Sequence, residues 1–130
     1  MENVGNITYN DEYVSRGNKF PRVKQETIYN TILHEISHMW FGNLVTMEWW
    51  DDLWLNESFA NMISYVCMDE AEGLDDITLA WNIFLDENFW GLDTDQKDTS
   101  HPIATCCNST GDAEDIFDGI SYGKGASWLK

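Results

Sequence analysis

The chain has 130 residues, enough for one domain with a single core and too few for two. Hydrophobic residues make up 43 % of it and aromatic residues 14 %, a content that excludes a disordered segment. Its net charge of −16 excludes nucleic acid as a partner, because an acidic surface repels a polyanion and releases no counterions. The acids cluster between Asp69 and Asp118, where Lys97 is the only base; a solvated face explains such a run more simply than recruitment of cationic substrates. No stretch approaches the roughly 18 consecutive apolar residues of a membrane span, and MENVGNITYNDE lacks the form of a signal peptide. Nothing addresses the chain to a compartment.

In chain order, Met1 to Tyr9 reads as a short strand, with Val4, Ile7 and Tyr9 suited to extended backbone. A polar loop follows to Phe20. Pro21 opens a helix, since proline is favoured in a first turn. Apolar residues at 29, 32, 33, 36, 39 and 40 then recur at helical spacing from Arg22 to Phe41, and Gly42-Asn43 closes the element. Leu44 to Trp54 predicts a short extended piece with a turn at Asp51-Asp52, its tryptophans 49, 50 and 54 assigned to the core. A second helix is predicted from about Asn56 to Asp69, with Glu57 in its first turn, and a third from Asp76 to Phe89. Thr94 to Asp115 is loop-rich, and Ser121 to Lys130 begins a last helix. The three cysteines, an odd number without C-x-x-C spacing, predict free thiols.

The chemistry lies in the first two helices. His34, Glu35 and His38 stand in the order H-E-x-x-H, and Glu57 follows after eighteen residues. On a helix the two histidines share one face a turn apart, so their ring nitrogens can converge on one ion. Glu35 is rotated by about 100° from His34 and suits a base better than a ligand. Glu57 supplies a third ligand from a second element, leaving the fourth position of a zinc ion open for water. The competing account makes these structural residues. It leaves two histidines flanking a carboxylate in an apolar helix without a reason, since ionised glutamate is rarely buried unpaired. His101 precedes Pro102 and is extended; a structural role suits it better than that of an extra ligand.

Four blocks give the chain a resemblance to the zinc aminopeptidases of the aminopeptidase N family, gluzincin metallopeptidases. Met1-Glu2-Asn3 with Gly5 resembles the end of that family's Gly-Ala-Met-Glu-Asn signature. HEISHMWFGNLVTMEWWDDLWLNES resembles its zinc block, Ser100-His101-Pro102 a segment beyond it, and Ser121 to Ser127 its S-Y-x-K-G-A-S block. The resemblance implies one zinc ion on His34, His38 and Glu57, with Glu35 as the base for the zinc-bound water. It makes Tyr122 the hydrogen-bond donor to the oxyanion, and Glu2 the partner of the α-ammonium of a peptide with a free N-terminus. Ser58 departs from the pattern, which has glycine after the ligand glutamate.

The expected fold is α+β and mainly helical, a fragment of a thermolysin-like zinc metallopeptidase catalytic domain with a short N-terminal strand region. Residues 1–130 are expected to be a partial catalytic domain without the β-rich and helical domains that flank it in the family. The expected function is hydrolysis of the N-terminal residue of peptides. A zinc-binding but inactive fragment and a zinc endopeptidase are the alternatives, the latter disfavoured by the Met1-Glu2-Asn3 block.

Overall fold

The computed structural model describes residues 1–17, 19–71 and 80–130. The architecture is mainly helical, as expected. Helices α1 (Arg22–Ser37), α2 (Leu53–Glu70) and α3 (Ala80–Asp95) form the body, joined by the short α4 (Thr110–Asp115) and α5 (Gly125–Leu129). A π turn, Ile120–Lys124, runs directly into α5. The expected start of the third helix, residues 76–79, lies outside the described residues; its end runs six residues past Phe89, to Asp95.

The core forms where α2, α3 and α5 meet. Tyr65 and Met68 of α2 pack with Ala80 and Phe84 of α3 and Ala126 of α5, and Leu33 of α1 joins from the side. Tyr65 and Trp81 both set their rings edge-on to Phe84, at centroid distances of 5.1 and 5.7 Å. Burying each such ring contributes about 2 kcal/mol, and the edge-to-face geometry adds about 1 kcal/mol per pair. A second cluster of Leu53, Cys107 and Ile116 fixes the start of α2 against the loop before α4. That anchor explains why α2 begins at Leu53, a turn earlier than expected, and places Glu57 in its second turn rather than its first.

Three further expectations are corrected. Residues 1–9 form no strand; the segment turns at Val4-Gly5 and closes on itself, with Thr8 N donating to the Met1 carbonyl and Met1 N to the Thr8 carbonyl. Among the described residues no neighbouring strand offers an extended piece a ladder to join. Helix α1 stops at Ser37 instead of Phe41, because the chain tightens there into i→i+3 bonds, Met39 N to Ile36 O and Trp40 N to Ser37 O. Trp49 and Trp50 lie at the surface, 57 % and 43 % exposed, and Trp49 Nε1 donates to the Cys107 carbonyl. An indole with that polar tie is held at a boundary rather than in the core. The cysteines are free thiols, as expected.

Candidate metal centre and active site

Helix α1 presents His34 and His38, and α2 packs along it to bring Glu57 opposite. His34 Nε2 is 3.2 Å and His38 Nε2 3.4 Å from Glu57 Oε2, and the two Nε2 atoms are 2.9 Å apart. All three side chains are buried. His38 sits at the C-cap of α1, where Nδ1 donates to the Phe41 carbonyl at 2.8 Å. The early end of α1 creates that bond. It also assigns the tautomer: with hydrogen on Nδ1, neutral His38 turns a bare lone pair on Nε2 toward the centre. Two imidazole nitrogens and a carboxylate oxygen then meet with too few protons to satisfy them, a donor set that fits a divalent cation.

Glu57 and His38 also shift each other's titration. Burial pushes the Glu57 carboxyl up, but hydrogen bonds and charge from His34 and His38 outweigh it and bring it down to about 2. Burial pushes His38 down, and the hydrogen bond and charge of Glu57, the Phe41 carbonyl and the charge of Glu2 together raise it above its ordinary value.

Around this centre lie the other expected residues. Glu35 Oε2 is shielded from solvent and accepts no well-directed hydrogen bond, although the Met1 nitrogen stands 2.9 Å away as an ion-pair contact. The segment carrying Glu2 therefore runs beside Glu35. It is tied there by Asn43 Nδ2, which donates to the Glu2 carbonyl at 2.8 Å. The negative charge of Glu2 raises both His38 and Tyr122. Tyr122 rides on the π turn with its ring stacked on His34 at 5.8 Å and flanked by Trp90 and Phe117. Burial, then the charge and hydrogen bond of Glu57, push its phenol far up, so it stays a donor at any ordinary pH. A cavity of about 310 Å³ opens from His34, Glu35 and Tyr122 toward Asn61 and Glu87. His101 lies away from the centre, its Nε2 3.2 Å from Asp118, in the wall of a separate hollow of about 640 Å³.

A family comparison matches the peptidase family M1 domain over residues 1–130. The chain belongs to peptidase family M1. Over its whole length it is 46 % identical to Aminopeptidase N of Streptomyces lividans, 41 % to Aminopeptidase M1 of Arabidopsis thaliana and 40 % to Aminopeptidase Ey of Gallus gallus. It spans 15 %, 15 % and 14 % of the lengths of those relatives.

Within this M1 peptidase chain, residues that sequence reasoning passed over hold the site in shape. Asp118 Oδ1 accepts from the amides of Ile120 (2.9 Å) and Ser121 (3.2 Å), starting the π turn. An aspartate two residues before the turn was the signal available for it. Asn61, one helical turn beyond Glu57, donates to the Tyr122 carbonyl at 3.2 Å, and Glu87 reaches the same amide from α3 at 3.5 Å. Neither carried a local signal, because their partners are distant in sequence.

Proposed function

We propose that this chain is the zinc-bearing part of a peptidase catalytic domain that removes the N-terminal residue from peptides. The observation that carries the reading is the convergence of His34, His38 and Glu57 with Glu35 and Tyr122 at its rim. The aminopeptidase names of its M1 relatives support it. Zinc held by the three ligands would supply Lewis acidity for the attacking water and the scissile carbonyl. Glu35 takes the proton of that water and passes it to the departing amine. Tyr122, kept protonated by its burial, donates a hydrogen bond to the substrate oxygen as negative charge develops on it. Glu2 pairs with the α-ammonium and thereby fixes which peptide bond is presented to Glu35 and Tyr122.

The test is Glu35→Gln in the complete protein. It keeps full zinc by elemental analysis and lowers kcat on an aminoacyl chromogenic amide by about 10²–10⁴-fold, the usual contribution of a general base. Parental turnover in the variant would refute the base, and absence of stoichiometric zinc from the parent would refute the metal centre. His34→Ala and His38→Ala should each lose the metal.

A further inference from the structure

Ser58 follows the ligand Glu57 directly, at the position where the chain departs from the glycine of the aminopeptidase pattern. Its side chain is fully buried. Its hydroxyl donates to the carbonyl of Ser121 at 2.6 Å, across 63 residues of sequence. It also packs so closely on Gly125 that a Cβ there would collide with it. One helical turn on, Asn61 Nδ2 reaches the carbonyl of Tyr122. A π turn spaces its backbone bonds one residue wider than an α-helix, and inserted turns of this kind need partners for the carbonyls they displace. Here two consecutive carbonyls of the turn, those of Ser121 and Tyr122, receive side chains from α2. On the opposite side Asp118 holds the amides of Ile120 and Ser121.

We infer that Ser58, assisted by Asn61, is a positioning residue that locks Tyr122 in register with the metal ligand Glu57. The same two turns of α2 carry the Glu57 carboxylate and hold the backbone of the π turn at Ser121 and Tyr122. The separation of the tyrosine hydroxyl from the metal centre is thus set by one short helical segment rather than by the long loop between α3 and the π turn. Packing alone does not require a hydroxyl at position 58, since glycine or alanine occupies less space.

The inference rests on the peptidase reading above, and its test is a double-mutant cycle in the complete, zinc-loaded enzyme. Ser58→Ala removes the hydroxyl that donates to the Ser121 carbonyl. It lowers kcat by about tenfold, as a sub-ångström displacement of a catalytic group does, with KM and zinc content unchanged. In a Tyr122→Phe background the same substitution changes kcat by less than about twofold, because the group it positions is gone. An equal loss in both backgrounds, or a rise in KM alone, overturns the inference while leaving the peptidase reading intact. Parental kcat in Tyr122→Phe itself overturns the tyrosine's role and this inference with it, whereas the Glu35→Gln result still stands. Ser58→Gly removes the same hydroxyl and serves if the alanine variant does not fold. Amide hydrogen exchange over residues 120–125 of the metal-free protein gives a readout apart from turnover: exchange is faster in either variant, and unchanged exchange overturns the tether.

Discussion

Glu57 faces two imidazoles at once, and its titration couples the site to stability. In the metal-free protein its carboxyl stands at about 2, against an ordinary value of 4.5. A depressed carboxyl contributes stability that is fully present above 4.5 and is lost as the pH falls through about 2. His38 is shifted the other way: its contribution is present below its ordinary 6.5 and is lost as the pH rises through its raised folded value. The ion pair therefore supports the metal-free fold most between about pH 4.5 and 6.5. Thermal midpoints of the metal-free protein, measured from pH 2 to 8, should fall between pH 4.5 and 2 more steeply in the parent than in Glu57→Gln. Equal slopes would mean that the carboxylate is not held down by the histidines.

At the scale of elements, the decisive contact is α3 against the π turn. A Cβ on Gly123 would run into the carbonyl of Glu87, and one on Gly91 would come within 2.6 Å of Lys124 N. Two backbones meet there with no room for a side chain. Gly123→Ala should therefore destabilise the protein by about 1–3 kcal/mol, the usual cost of overpacking, and should also reduce turnover by moving the adjacent Tyr122. Ser121→Ala makes the contrasting case within the same turn. Its hydroxyl is buried without a hydrogen-bond partner, so removing it should leave the thermal midpoint unchanged or raise it. A midpoint lowered in Ser121→Ala as much as in Gly123→Ala would show the turn to be sensitive to any change, not to backbone approach.

For the whole molecule, the proposed pairing of Glu2 with a substrate α-ammonium makes a prediction about where a peptide is cut. Glu2 lies on the N-terminal segment, where its carbonyl is held by Asn43 from the turn after α1, and its charge raises the Tyr122 phenol. A fixed carboxylate there accepts a charged α-amine and offers nothing to an acetylated one. In the complete enzyme, Glu2→Gln should lower kcat/KM for free-amine peptides by at least about tenfold and leave zinc content unchanged, since a lost hydrogen bond to a charged group is worth about 1.5–3 kcal/mol. The parent should scarcely cleave an N-acetylated version of the same peptide. Equal cleavage of the two would favour the endopeptidase alternative.

The convergence of His34, His38 and Glu57 was legible in the sequence because helical periodicity alone puts His34 and His38 on one face, and the separation to Glu57 left room for a return helix. The mainly helical architecture followed from the apolar spacing of α1 and α2. Without a partner strand, however, no local pattern could make residues 1–9 into one, and Trp49 and Trp50 lie outside because the core is filled by α2, α3 and α5. The end of α1 at Ser37 and the π register of residues 120–124 also escaped the sequence. Each depends on where spare hydrogen bonds find partners: His38 at Phe41, Asp118 at the turn's amides, Ser58 and Asn61 at its carbonyls. Sequence determined which groups could bind a metal, because that depends on residue type and helical phase. Tertiary structure decided which groups hold Tyr122 beside them, because backbone partners 61 and 63 residues apart exist only once α2 and the π turn have packed.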